Sequence, residues 1–178
     1  PNRNLISVGG NLIRPFIWSD LSTVARALRA SVKVEGNDRR EIPAEEFFSE
    51  LPAKQLGPGD LVTEFFFPKL SKDTRAFFEE FTLTEIDFAL LKIAMVLTGG
   101  KKSCRRARVV VGGATILPQR AEKAEEILGD GRITAEKIDR AASAAGEEIK
   151  ITRDIRCSKQ YKRDLCRGMI KGLLEEIY

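Results

Sequence analysis

Residues 107–125 read ARVVVGGATILPQRAEKAE, and the change of pattern inside them decides the fold. Arg106 to Val111 is a strand, the return arm of a hairpin whose turn is Gly99-Gly100-Lys101-Lys102. Pro118 can open a helix that runs through Leu128 and stops at Gly129-Asp130-Gly131. Upstream of this point the chain reads as strands. Downstream it reads as helices: Thr134 can cap one with Ile138, Ala141, Ala142 and Ala145 facing inward. Another follows Ser158, with Tyr161, Leu165, Met169, Leu173 and Ile177 along one stripe. Strands followed by segregated helices predict an α+β fold, a small antiparallel sheet covered on one side by three C-terminal helices.

Moving upstream, Phe88 to Leu97 is nearly all apolar and reads as a strand buried on both faces, although a helix fits the same pattern. Arg75 to Leu83 and Leu61 to Phe67, the latter ended by Pro68, read as further strands of this block. Phe65, Phe66, Phe67, Phe77, Phe78 and Phe81 are bunched as a cofactor box would be, but at strand spacing simple core is the commoner role. Lys54 to Asp60, KQLGPGD, is the linker candidate, because Gly-Pro-Gly continues neither helix nor sheet. It divides the chain into units 1–58 and 59–178.

Before the linker, Ser31 to Glu35 and Arg39 to Ile42 form a hairpin about Gly36-Asn37-Asp38, followed by one helical turn from Pro43 to Phe48. A helix from Leu21 to Ala30 buries Leu21, Val24, Ala25 and Leu28 and leaves Arg26 and Arg29 wet. Ahead of it, residues 7–20 read SVGGNLIRPFIWSD. Leu5 to Val8 is a short strand entering a Gly9-Gly10 loop, where bare N–H groups can meet a ligand. Asn11 adds a donor and an acceptor, and Asp20 stands at the mouth of the next helix. Such a loop holds a phosphate, a ribityl chain or a sugar, or is a plain turn capped by Ser19 or Asp20.

Composition excludes several chemistries. The 178 residues contain no histidine, which removes Ser-His-Asp, Cys-His and His-based metal chemistry from this chain. Cys104, Cys157 and Cys166 lack CxxC spacing, which argues against a zinc or iron–sulfur site and fits reduced thiols in a cytoplasm. No apolar run is long enough to span a bilayer, and no signal peptide is visible. The net charge of +4, from 30 cations and 26 anions, describes a mixed surface. Arg153, Arg156, Lys159, Lys162, Arg163, Arg167 and Lys171 cluster near the last helix; a solvated face is the commoner reading than nucleic-acid binding.

Four pieces read together: SVGGN with Asp20 behind it, the linker, residues 107–125, and TRDIRCSKQYKRDL at 152–165. In this order and spacing the chain resembles the flavin-binding subunit or domain of the molybdenum hydroxylases, the family of xanthine dehydrogenase, aerobic carbon monoxide dehydrogenase and 4-hydroxybenzoyl-CoA reductase. Val109 to Ala124 looks like that family's strand, Gly-Gly and Pro-x-Arg-Ala helix start, and Asp154 to Leu165 looks like its Asp-x-Arg-x-Ser-x-x-Tyr-Arg-Arg signature. The resemblance covers the later part of the subunit. It implies a partial PCMH-type α/β FAD-binding subdomain followed by a CO dehydrogenase flavoprotein C-terminal-like domain. The N-terminal half of the FAD-binding domain, with the loop that cradles the pyrophosphate, is expected from outside residues 1–178.

The resemblance implies an FAD site at Ser7, Val8, Gly9, Gly10, Asn11 and Asp20, with a further contact at Val62 by counting back from Pro68. No residue is implied as a catalytic acid or base. Arg156, Ser158 and Tyr161 are implied to be structural, pinning the helix start and beginning its buried face. The chain also departs from the family. Members place cations a few residues before the position of Asp87, close to the flavin ring, whereas residues 80–85 here read EFTLTE. Phe16-Ile17-Trp18 replaces a small residue and a proline, and Trp18 either covers a flavin or packs.

The implied function is that of a flavin-carrying electron-transfer component of a cytoplasmic oxidoreductase complex, inactive on its own. Its implied partners are a small subunit with [2Fe–2S] clusters and a large subunit with molybdopterin, with no nucleic acid and no membrane span. The alternative is a docking or assembly module that binds no FAD alone, favoured by the glutamates at 80 and 85.

Overall fold

The computed structural model describes residues 7–129 and 131–178. Helices α1 (Val8–Ile13) and α2 (Asp20–Ala27) precede strand β1 (Ser31–Glu35). Then come β2 (Arg40–Pro43), the single-turn helices α3 (Ala44–Phe47) and α4 (Pro52–Gln55), and β3 (Leu61–Phe66). These strands form an antiparallel sheet in the order β2-β1-β3. Period-two alternation sends Val32 and Val34 inward, where they pack with Ile42, Phe47, Phe48 and Leu12.

Expected in the block after the linker, Leu61–Phe66 instead covers the free edge of β1. The Gly-Pro-Gly segment is a tight loop within this sheet. Asp60 closes it, accepting from Gly57 N at 2.7 Å and from Arg40 Nη2 at 2.6 Å.

The second sheet contains β4 (Thr74–Phe81), β5 (Leu91–Thr98), β7 (Arg106–Gly112) and β8 (Gln119–Arg120), antiparallel and in that order. The two-residue β6 (Ser103–Cys104) pairs with β9 (Gly131–Arg132). Helices α5 (Glu122–Leu128), α6 (Ala135–Glu148) and α7 (Lys159–Ile177) cover one face. Leu91, Ile93, Met95 and Leu97 point toward these helices, and Ala94 points to the opposite face, against Ala27 of α2. β5 is therefore a strand buried on both faces, and the helical alternative falls. Thr134 and Ser158 cap α6 and α7 as the sequence predicts, accepting from Lys137 N at 3.2 Å and Tyr161 N at 3.1 Å.

Gly112 explains how α2 reaches the sheet. A Cβ there would stand 2.2 Å from Thr23 Oγ1. Small residues make the approach: Ser22, Thr23, Ala25 and Ala27 are buried, while Leu21, Val24 and Leu28 are only half-buried. Arg26 is not on a wet face. It pairs with Glu45 at 2.6 Å, and Arg108 of β7 pairs with the same carboxylate. Burial pushes the Glu45 pKa up, but Arg26, Arg108 and Arg120 outweigh it and hold the carboxyl below its ordinary value.

Other expectations need correction. Pro118 does not open a helix: Gln119 and Arg120 first pair with Val111 and Val110, satisfying that strand edge, and α5 starts at Glu122. Phe66 and Phe78 are exposed, whereas Phe65, Phe77 and Phe81 pack on the cores, as alternation along β3 and β4 requires, and Phe67, just past the end of β3, is exposed as well. Tyr161 is exposed, and the buried stripe of α7 is Lys162, Cys166, Met169, Ile170, Leu173 and Leu174.

Candidate functional site

Gly9, Gly10 and Asn11 lie inside α1, not in a loop, and neither glycine has a positive φ. Ser7 caps the helix, its Oγ accepting from Gly10 N at 3.0 Å. Burial of Leu12 against the first sheet overrides the poor helix propensity of Gly-Gly-Asn. Half of the strand expected at Leu5 to Val8 lies outside the described residues; of the rest, Ser7 caps the helix and Val8 begins it.

After α1 the chain turns through Phe16 to Ser19. The Ser19 Oγ accepts from Phe16 N at 2.9 Å, and Ser19 N donates to Phe16 O at 2.8 Å. This turn presents Trp18, which stacks on Phe16 with centroids 5.0 Å apart and on Phe88 with centroids 4.8 Å apart. Trp18 therefore packs, and it also lines a cleft of about 590 Å³ between α1, α2 and the loop before β5.

Asp20 begins α2 at one wall of this cleft, its side chain 53% exposed. Below it is Lys92 of β5, only 1% exposed, with Nζ 2.7 Å from Asp20 Oδ1. The two form a short ion pair, and beyond Asp20 the buried Lys92 Nζ reaches no other acceptor among the described residues. Burial draws the Lys92 pKa down, and its short contact to Asp20 together with the charges of Asp20 and Glu80 pulls it back up. Glu80 stands opposite Lys92 in the β4–β5 ladder. A second orphan, Asn11 Oδ1, is also buried without a partner at the cleft wall.

The loop that carries Phe88 is held from the far end of the chain. Arg156 Nη1 donates to Phe88 O at 2.6 Å and lies 3.4 Å from Asp87 Oδ1. Arg156 is itself held by Asp154, which accepts from its backbone N at 3.0 Å and its Nε at 3.1 Å. Asp154 Oδ2 also accepts from Lys162 Nζ at 2.9 Å, and that buried ammonium donates to Gly113 O at 3.0 Å. The hydrogen bonds of Arg156, only partly opposed by burial, and those of Lys162 hold the Asp154 carboxyl far below the usual carboxylate range. Arg167 pairs with Glu147 and Asp164 and Lys171 with Asp139 and Glu175, so this part of the basic cluster is a charge-balanced helix face.

Of the residues expected at the site, Gly10, Asn11 and Asp20 meet at the cleft. Ser7 supports them as the cap. Val8 is exposed and Gly9 half-buried on α1, both outside the lining. Val62 sits in β3 opposite Val34, packed on the first core and away from the cleft. The residues that sequence reasoning missed are Lys92 and Phe88. Their one signal was a lysine inside an otherwise apolar strand. The segment Glu80–Glu85 does lack a cation, but Lys92 brings one to the same cleft.

A family model of the CO dehydrogenase flavoprotein C-terminal domain matches residues 76–177, and one of the FAD binding domain in molybdopterin dehydrogenase matches residues 2–70. The chain is 31% identical over 176 residues to the 6-hydroxypseudooxynicotine dehydrogenase complex subunit alpha of Paenarthrobacter nicotinovorans, covering 97% of this chain and 59% of that protein. It is 26% identical over 175 residues to the nicotine 6-hydroxylase medium subunit of the same organism, covering 98% and 61%. Among solved structures, a chain of carbon monoxide dehydrogenase from Hydrogenophaga pseudoflava superimposes with a TM-score of 0.90 at 26% identity, covering 98% of this chain and 61% of that one. The chain thus spans about three-fifths of the length of the curated relatives it matches.

Proposed function

Since this chain belongs to the molybdenum hydroxylase medium-subunit family, with a PCMH-type FAD-binding domain and a CO dehydrogenase flavoprotein C-terminal domain, we propose that it is part of a flavin-carrying electron-transfer component of such a complex. FAD, when bound, supplies the redox chemistry between [2Fe–2S] clusters on a small subunit and an external acceptor. The large partner subunit would carry molybdopterin, and the compartment would be the cytoplasm. Among the described residues no helix is long and apolar enough to cross a membrane.

The cleft carries this reading. Asn11 Oδ1 is a buried acceptor lacking a donor, Asp20 offers a half-exposed carboxylate, and Trp18 and Phe88 offer an aromatic wall. Those groups fit a ligand with hydroxyl or N–H donors and a flat ring. Gly10, Asn11 and Asp20 would hold the FAD, with Ser7 fixing the helix that presents them. The chain's own work is binding, orientation and exclusion of water.

The pairing of β3 with β1 and the limits of the two family matches support a division between the units after Phe66, later than 58/59.

The test is an FAD titration of the chain alone and together with the remaining half of the FAD-binding domain. A yellow complex with quenched flavin fluorescence is expected in the second case. A protein that takes up no FAD in either case overturns the reading. It would favour the docking-module alternative, which the exposed Leu83 and Ile86 of the loop beside the cleft recommend.

A further inference from the structure

Lys92 is placed where an apolar residue would serve the fold better. Its neighbours in β5 are apolar on both faces, and Ala94, two residues along on the same face, packs on α2. Removing an ammonium from water costs several kcal/mol unless the partner and geometry are excellent. Here the partner is half-exposed, no second acceptor reaches the ammonium, and Glu80 across the ladder is itself exposed. The pair is therefore a weak device for stability.

It is a good device for the cleft. Lys92 engages Oδ1 of Asp20, while Oδ2 makes no hydrogen bond among the described residues. A carboxylate fixed at one oxygen presents the other as an acceptor with little rotational freedom to lose on binding. The other cation lining the cleft, Arg14, is exposed at its rim, so Lys92 is the one buried positive charge among the described lining residues. A charge screened from water acts on a nearby ligand more strongly than one at the rim.

We infer that Lys92 is a positioning residue of the FAD site: it orients the Asp20 carboxylate toward the ligand, and its charge beneath the cleft favours the reduced, more anionic form of the flavin. The inference rests on the flavin reading above. It also identifies what takes over from the cations absent at 80–85, from a different strand position and acting through Asp20.

The experiment compares wild type with Lys92→Met, a variant of similar length without charge, in the flavin subunit assembled with the rest of its FAD-binding half. The readouts are FAD affinity, the midpoint potential of the bound flavin and the melting temperature. Lys92→Met should bind FAD about tenfold more weakly. It should lose about tenfold in preference for the reduced form, a fall of about 30 mV for a two-electron couple. Its melting temperature should be unchanged or higher. Asp20→Asn should weaken FAD binding in wild type but add little in the Lys92→Met background, because the carboxylate acts only when held. Unchanged affinity and potential in Lys92→Met would overturn the inference and leave the flavin reading intact. A Lys92→Met protein that fails to fold would overturn it as well, since the lysine would then be structural. Wild type that binds no FAD would remove the flavin reading itself and the inference with it.

Discussion

Arg156 donates to the backbone oxygen of Phe88 across 68 residues of sequence, at 2.6 Å. Phe88 is the ring on which Trp18 stacks, 4.8 Å between centroids. The residues just ahead of the last helix thus set the position of an aromatic wall built from the turn after α1 and the loop before β5. Asp154 is the centre of that arrangement, because it orients Arg156 and neutralises the buried Lys162 in one step. Sequence motifs at opposite ends of the chain are parts of one cleft.

Asp154→Asn should destabilise the protein by about 3 kcal/mol, the usual cost of leaving a buried cation unpaired. Its folded-state pKa lies below the ordinary value of 3.8. The carboxylate therefore contributes stability that is present above that ordinary value and is lost as pH falls below it. Urea unfolding at pH 7 and pH 3 should show a smaller loss on acidification in Asp154→Asn than in wild type.

Trp18 is the one tryptophan in the sequence, so its emission reports on the cleft alone. Binding of FAD should quench it. Phe88→Ala should shift the emission to longer wavelength, as a ring contact is replaced by water, and should cost about 1 kcal/mol of stacking in chemical unfolding.

Arg29 follows α2 with φ 57°, the left-handed conformation at a helix end that glycine ordinarily takes. The exposed side chain makes no hydrogen bond among the described residues to compensate the strain. Arg29→Gly should therefore raise stability by about 1 kcal/mol, measured by urea midpoint.

Cys104 and Cys166 are buried, and burial pushes the Cys166 thiol up to about 12. Cys157 is half-buried beside Arg156. In the native protein one thiol should react promptly with an aromatic disulfide reagent, and three in urea. Peptide mapping should place the fast label on Cys157.

Gly112→Ala should destabilise by about 2 kcal/mol through overpacking on Thr23. Thr23→Ala, which removes the clashing Oγ1, should recover much of that loss. A double-mutant cycle by chemical denaturation gives the coupling.

Much of the fold was legible because it is local. Alternation in β1, the apolar run of β5, and the caps Thr134 and Ser158 need only a few neighbouring residues to be read. What was hidden depends on distant partners. Gly-Gly-Asn reads as a turn until Leu12 is seen buried on the first sheet. Pro118 reads as a helix start until the open edge of β7 claims Gln119 and Arg120. Lys92 reads as a flaw in an apolar run because its partner, Asp20, lies 72 positions earlier. The expected trio of Gly10, Asn11 and Asp20 does share a cleft, and Val62, reached by counting back from Pro68, lies on the first core outside it.

The contact between Thr23 and Gly112 also limits how sequences of this kind are recombined. The threonine belongs to the region matched by one family model and the glycine to the region matched by the other. A chimera that joins the first half of one relative to the second half of another inherits two surfaces shaped separately. If the incoming second half carries any side chain at position 112, the helix bearing Thr23 is lifted from the sheet, and Asp20 and Trp18 rise with it. Exchange of halves is then silent only when the residues at 23 and 112 travel as a matched pair, so this one missing methyl group acts as a compatibility key between the two halves.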